Sequence, residues 1–177
     1  MSRIVITGAP GAGKTTLLET LQDRGYATVG DTARHIIQDR RRRGLSPRPE
    51  PQAFAQETLR LDIENYVQHA GNPRPVFFER GVLDAVCGLD RAAPLSDTEL
   101  NTWLSNYPYF PKVFVLPPWK AIYVNDAERD HTFEHAEWVD RITQEWYRRC
   151  GYEIVEVPMG PVEQRCSFVL RALTENV

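Results

Sequence analysis

Cysteine is scarce in this sequence and is not arranged for cross-linking. The 177 residues include three cysteines, Cys87, Cys150 and Cys166, an odd number without a C-x-x-C pair. This pattern argues against a disulfide framework and against a zinc site. It is typical of a protein in a reducing cytosol.

Long apolar runs and a strong excess of either charge are also missing. No run approaches the roughly 18 apolar residues of a membrane-spanning helix, and a strand begins so early that a signal peptide has no room. The formal net charge is −3, so no overall positive field would recruit nucleic acid. Arg40–Arg43 end a predicted helix, where they complement its dipole. We expect one cytoplasmic domain, residues 1–177, without membrane insertion or a nucleic-acid partner.

A complete phosphate-binding pattern lies near the beginning of the chain. Residues 8–15 read G-A-P-G-A-G-K-T, which satisfies G-x-x-x-x-G-K-[ST] without a mismatch. The preceding segment, Ile4–Ile6, predicts a strand, and Lys14–Arg24 predicts a helix. Glycines let backbone N–H groups approach phosphate oxygens, and the helix start adds further donors. The pattern predicts a nucleoside triphosphate site, with Lys14 on the β- and γ-phosphates and the Thr15 hydroxyl on Mg²⁺.

Nine residues of the loop and the helix start are expected to hold the nucleotide, which is ATP or, as an alternative, GTP. They are Gly8, Ala9, Pro10, Gly11, Ala12, Gly13, Lys14, Thr15 and Thr16.

Apolar strands and amphipathic helices alternate along the rest of the chain. Further strands are predicted at 26–29, 75–78, 112–116 and 152–157, and further helices at 32–43, 53–70, 81–91, 97–107, 133–150 and 162–173. The helix at 133–150 carries an apolar stripe of Val139, Ile142, Trp146 and Cys150. The alternation predicts a parallel sheet covered on both faces. Ligands of such sheets bind at the carboxyl ends of the strands.

Acidic residues follow two of these strands and should open onto the crevice of the phosphate loop. Glu79 is the candidate Mg²⁺ ligand, and its alternative role is an ion pair with Arg80 or a helix-start carboxylate. Asp31 is expected either to orient an attacking hydroxyl or to cap the following helix. Arg80 is expected to bind an anionic group or to pair with Asp84. Asp84 is either that partner or an acceptor contact.

Taken together, these segments resemble P-loop ATPases and kinases of the AAA-domain type, relatives of nucleoside and nucleotide kinases and of the ribosylnicotinamide kinase domain. The resemblance is carried by GAPGAGKTT, Asp31-Thr-Ala-Arg34, Phe78-Glu79-Arg80-Gly81-x-x-Asp84, Leu116-Pro-Pro-Trp119, Tyr123-x-Asn125-Asp126-x-x-Arg129 and Gly151-Tyr152. It implies a three-layer α/β/α sandwich with a five-stranded parallel sheet in the order 2-3-1-4-5. It also implies a lid at approximately 119–132.

The resemblance also implies roles for individual residues. The catalytic set is Lys14, Asp31, Glu79 and Arg129, where Arg129 is a lid cation on the triphosphate. The expected substrate contacts are Asp31, Arg34, Arg80 and Asp84. The expected metal ligands are Thr15 and Glu79.

Two classes of function fit this sequence. The first is a small-molecule kinase that transfers the γ-phosphoryl group of Mg-ATP to a nucleoside- or nucleotide-like acceptor. The second is a nucleotide-dependent regulatory protein with slow hydrolysis and a lipid or protein partner. A typical GTPase is disfavoured because N-K-x-D and D-x-x-G elements are missing, and the chain is short for an oligomeric AAA+ machine. No serine follows Glu79-Arg80, so the acceptor stays open.

Overall fold

The computed structural model describes residues 2–123 and 132–175 and is built around a parallel sheet. Its strands are β1 (Arg3–Gly8), β2 (Ala27–Val29), β3 (Val76–Glu79), β4 (Lys112–Leu116) and β5 (Glu153–Glu156). They lie in the order β2-β3-β1-β4-β5, and every pair is parallel. The predicted strand order is therefore confirmed.

The helices of the described residues follow the predicted alternation. They are α1 (Lys14–Asp23), α2 (Thr32–Arg42), α3 (Pro51–Gln68), α4 (Val82–Ala92), α5 (Asp97–Asn106), α6 (Phe133–Arg149) and α7 (Val162–Thr174). Helix α3 begins two residues before the predicted Ala53. Pro51 fits the first turn because its missing N–H needs no partner there, and the Glu50 carboxylate accepts from the N–H groups of Gln52 and Ala53. None of these helices has the length and apolar character needed to cross a bilayer.

Helices cover both faces of the sheet, which gives the three layers that the sequence predicts. The β1 side chains alternate between the faces: Ile4 and Ile6 pack with α1 and α7, and Val5 packs with α3, α4, α5 and α6. Strands β1, β3 and β4 are buried almost throughout. Because every strand runs the same way, the turns after β1, β2 and β3 meet at one edge of the sheet.

Gly8 lets β1 end in close contact with β4. Its φ is +114°, and a Cβ atom at this position would lie 2.3 Å from the Leu116 carbonyl oxygen. The next residue, Ala9, donates its N–H to the same oxygen at 3.2 Å. The first glycine of the loop is therefore required by packing against β4 as well as by the turn.

Candidate active site

The phosphate loop turns directly from β1 into α1. Gly13 occupies the N-cap position in a left-handed conformation, with φ of 82°. Lys14 is 5% exposed, and its Nζ donates to the carbonyl oxygens of Gly8 at 3.2 Å and Ala9 at 2.8 Å. Burial, together with the nearby Arg80 charge, lowers the pKa of Lys14 from 10.5 to about 8. A phosphate group in this loop would give the ammonium the compensating charge that burial requires.

Thr15 and Glu79 come together at the mouth of the loop. The Thr15 hydroxyl donates to Oε2 of Glu79 at 2.9 Å, and Glu79 is buried at the end of β3. In residues 2–123 and 132–175, no three His, Cys, Asp or Glu side chains are arranged to hold a metal ion. Magnesium commonly takes one or two protein oxygens and completes its shell with phosphate oxygens and waters. A hydroxyl and a carboxylate at this position fit that donor set.

Asp31 caps α2 and also pairs with Arg80. Its Oδ1 accepts from the Arg34 N–H at 3.0 Å, and its Oδ2 lies 3.4 Å from Nε of Arg80. The capping role that the sequence offered for Asp31 is therefore present. Arg80 has the left-handed φ of 66°, and its N–H donates to the Ile6 carbonyl oxygen at 2.9 Å. Side chains other than glycine adopt this backbone region at a cost.

Asp84 links three elements around the start of α4. Its Oδ1 accepts from the Thr7 hydroxyl at 2.7 Å. Its Oδ2 accepts from the Tyr147 hydroxyl at 2.6 Å and from the Gly81 N–H at 3.0 Å. Thr7 and Tyr147 are fully buried. This carboxylate therefore ties β1 and α6 to the N-terminus of α4, while it also lines the cleft described below.

Sequence reasoning missed a buried acid, Asp62 on α3. It is 8% exposed, and burial raises its pKa from 3.8 to about 7, partly offset by a hydrogen bond with Thr32. A signal was available, since Asp62 stands three residues after Leu59 and four before Tyr66. Those spacings place it on the apolar stripe of the helix.

Arg165 on α7 was also missed. It is 6% exposed, and its Nη1 donates to the Ala12 carbonyl oxygen at 3.1 Å. A Cβ atom on Gly13 would lie 3.0 Å from Nη1, and the guanidinium carbon is 5.8 Å from the Trp119 ring centre. In the part of the chain that the structure describes, its Nε has no hydrogen-bond partner. Long-range packing of α7 onto the loop leaves no local pattern in the sequence.

One cleft of about 1100 Å³ at the carboxyl edge of the sheet joins the groups described above, with the exception of Asp62, which does not line it. All of the predicted catalytic and substrate residues that the structure describes line it: Lys14, Asp31, Arg34, Glu79, Arg80 and Asp84. Pro10, Gly11, Gly13, Thr15 and Thr16 of the predicted nucleotide set line it as well. Arg129 lies outside the described residues.

Helix α6 forms one wall of this cleft. Its predicted apolar stripe is therefore not packed wholly in the core. Val139 and Ile142 are only half-buried and line the cleft together with Trp138 and Trp146. The deeply buried face is instead formed by Ala136, Asp140, Thr143, Tyr147 and Cys150. Apolar periodicity identifies an apolar face, but it does not distinguish a core from a cavity wall.

The described part of the predicted lid lies over the phosphate loop. It includes a 3₁₀ turn, Lys120–Ile122, followed by Tyr123. A Cβ atom on Gly11 would lie 2.9 Å from the Tyr123 ring, and that ring meets Phe133 at a centroid distance of 5.4 Å. Tyr123 therefore covers the phosphate loop and packs against Phe133, the first residue of α6. Residues 124–131 lie outside the described ranges.

The fold and the site define the class as a P-loop α/β protein. Residues 3–165 match the family model described as an AAA domain, and the chain belongs to this AAA-domain family.

Solved structures with the same architecture include deoxyadenosine kinase from M. mycoides. The complex with dATP is 16% identical with a TM-score of 0.64, covering 99% of this chain and 100% of that one. A second structure, with the products dCMP and a flexible dCDP, is 15% identical with a TM-score of 0.57, covering 97% and 98%. At these identities the similarity shows the fold.

A curated relative is a nucleotide-binding protein from Granulibacter bethesdensis. It is 34% identical over 82 residues, which is 44% of this chain and 25% of that protein. The match thus spans about a quarter of the length of the relative.

Proposed function

We propose that the protein is a kinase that transfers the γ-phosphoryl group of Mg-ATP to a nucleoside- or nucleotide-like small molecule. The observation that carries this proposal is the continuous cleft. The phosphate loop lies at one part of it, and cationic and aromatic side chains line the remainder. The volume of about 1100 Å³ exceeds that of an ordinary small-molecule pocket, which favours a second metabolite beside the triphosphate over water alone. The deoxyadenosine kinase architecture and the nucleotide-binding relative support the same proposal.

The phosphate loop would hold the donor. Lys14 would exchange its present contacts with Gly8 and Ala9 for the β- and γ-phosphates. Thr15 and Glu79 would hold magnesium, which when bound offsets negative charge on the phosphate oxygens. We propose Arg129 as a further cation over the transferring group, and GTP as an alternative donor.

The acceptor would be aimed by the residues that follow β2 and β3. Asp31 holds the start of α2 and faces Arg80, so the two side chains fix each other at the cleft. Arg34 lines the same cleft from the first turn of α2. An acceptor oxygen would form a bond to the γ-phosphorus while the bond to the β–γ bridging oxygen breaks and ADP leaves. Positioning and charge stabilisation would supply most of the rate.

Product mass tests this proposal directly. The full chain is incubated with Mg-ATP and a broad metabolite mixture, and mass spectrometry searches for a compound that gains one phosphate. Lys14→Ala serves as the blank, because it keeps the loop glycines and removes the phosphate-binding ammonium. The expected result is a product that only the unmodified protein forms. ATP hydrolysis without any phosphorylated product would contradict the kinase proposal and favour a nucleotide-dependent regulatory protein.

A further inference from the structure

We propose that the acceptor part of the cleft selects a planar metabolite that already carries a phosphate, a nucleoside monophosphate in preference to a neutral nucleoside. This inference rests on the proposed kinase function and narrows its acceptor. We call this part the acceptor chamber and define it by the cleft-lining residues Arg48, Phe54, Arg91, Trp138, Ile142 and Trp146.

Aromatic side chains give the acceptor chamber a wall suited to a flat ring. Trp146 is fixed by a hydrogen bond from its Nε1–H to the Leu83 carbonyl oxygen at 2.8 Å. Trp138 is held by the Arg91 guanidinium, 4.5 Å from its ring centre, and by the His135 ring at 5.3 Å. Phe54 lines the cleft from α3. Aromatic rings attract a planar ligand through edge-to-face as well as stacked contacts, so these side chains offer it an aromatic wall.

The charge of the cleft favours an anion. Six cationic side chains of the described residues line it, against three carboxylates: Lys14, Arg34, Arg48, Arg80, Arg91 and Arg165 against Asp31, Glu79 and Asp84. The whole chain has the opposite balance, with a net charge of −3. A local positive excess in a cleft of a negative protein attracts anionic ligands, and arginine binds phosphate with two parallel hydrogen bonds. Lys14 and Arg165 lie at the phosphate loop, whereas Arg91 lines the acceptor chamber beside Trp138.

The carboxylates of the cleft are already engaged by the protein. Asp31 accepts from the Arg34 N–H with one oxygen and faces Arg80 with the other. Asp84 accepts from three donors, and Glu79 accepts from Thr15. An attacking hydroxyl would bring a proton that one of these carboxylates must orient or accept.

A phosphate acceptor does not have this requirement. The second pKa of a phosphate monoester is about 6, so at neutral pH its attacking oxygen carries no proton. That oxygen forms a bond to the γ-phosphorus, the bond to the β–γ bridging oxygen breaks, and ADP and a nucleoside diphosphate result. No proton has to leave, which matches a cleft whose acids are held in structural contacts.

Calorimetric titration of the full chain, saturated with Mg-ADP, tests the inference. The probes are AMP, CMP, GMP and UMP, the four corresponding nucleosides, and inorganic phosphate alone. We expect at least one monophosphate to bind about tenfold or more tightly than both its nucleoside and inorganic phosphate, as one or two charged hydrogen bonds would give. Arg91→Met keeps an apolar side chain that can still cover the Trp138 ring, so it should weaken that monophosphate about tenfold while changing the nucleoside little. The control is Arg60→Met, since Arg60 pairs with Glu64 on an exposed part of α3.

The outcomes separate this inference from the kinase proposal. Nucleosides that bind as tightly as their monophosphates, or no binding of either, would overturn the inference. Inorganic phosphate that binds as tightly as a monophosphate would also overturn it, because the ring would then contribute nothing. Phosphoryl transfer is measured in parallel with the same probes. If the phosphoryl group is transferred to a neutral nucleoside in preference to its monophosphate, the kinase proposal is supported and the inference about the acceptor is overturned.

Discussion

At the scale of single residues, Arg80 combines a strained backbone with a functional position. A left-handed φ on a residue other than glycine costs of order 1–3 kcal/mol, and such strain is concentrated at functional sites. The strain aims this side chain from the end of β3 into the cleft, where it faces Asp31 at 3.4 Å.

Two substitutions at Arg80 separate its backbone from its side chain. Arg80→Ala removes the guanidinium and keeps the strain, whereas Arg80→Gly removes both. We expect the unfolding free energy of Arg80→Gly, measured in urea, to be about 1 kcal/mol higher than that of Arg80→Ala, because glycine adopts this conformation freely. Both variants should lose at least about tenfold in phosphoryl transfer. Equal unfolding free energies for the two variants would contradict backbone strain at this position.

Asp62 makes stability depend on pH. Burial raises its folded pKa to about 7, above an unfolded value near 3.9, so the folded state holds this proton more strongly between these limits. The contribution of Asp62 to the unfolding free energy is therefore present at low pH, falls as pH rises through this window, and levels off above pH 7. The full change is up to about 4 kcal/mol.

Asp62→Asn should abolish that contribution, because the amide resembles the protonated acid. We expect the unfolding free energy of the variant to exceed that of the unmodified protein by about 1 kcal/mol at pH 5 and by up to about 4 kcal/mol at pH 8, as measured by urea unfolding. Asp23→Asn, on the exposed end of α1, is the control for the change from acid to amide. A variant equally destabilised at both pH values would show that the carboxylate is held in its charged form.

At the scale of secondary-structure elements, α7 is tied to the phosphate loop through one buried side chain. Arg165 contributes the hydrogen bond to the Ala12 carbonyl oxygen and a positive charge beside Gly13. Arg165→Met keeps the apolar length of the side chain and removes both. We expect a loss of about 1–3 kcal/mol in stability and about tenfold in Mg-ATP affinity.

Arg165→Lys should restore part of the Mg-ATP affinity, because it returns the charge without the planar fork. The control, Arg171→Met, changes an exposed residue of the same helix. Calorimetry and urea unfolding measure both effects. If Arg165→Met binds Mg-ATP as tightly as the unmodified protein, the Arg165 side chain has only a structural role.

The order of the elements could be predicted from the sequence, because each element has a local signal. Buried parallel strands appear as short apolar runs, and the helices carry stripes at their own period. The start of α3 was missed by two residues, since Pro51 ended the predicted loop and also opens the helix. The α6 stripe predicted an apolar face correctly, but only the packing of α4 and α6 shows that Val139 and Ile142 line a cleft. Asp62 and Arg165 depend on contacts between distant segments, which no local pattern contains.

At the scale of the whole molecule, the candidate site depends on the sheet topology. The strand order brings the phosphate loop, Asp31 and the Glu79-Arg80 pair to one edge, although they are far apart in the chain. The expectation that these groups share a crevice could be made from the sequence, because parallel strands end on the same side. The geometry of their side-chain contacts could not, and it is these contacts that matter: an ion pair joins Arg80 to Asp31, and hydrogen bonds hold Asp84 at the start of α4.

The most direct test is calorimetric titration of the folded full chain with ATP in the presence of Mg²⁺. The account predicts saturable binding at one site, together with an upward shift of the thermal unfolding midpoint that grows with ATP concentration. Lys14→Ala should keep the fold by circular dichroism and lose most of that binding. Folded protein that binds neither ATP nor GTP with Mg²⁺ present would contradict the assignment of the loop after β1 as a triphosphate site.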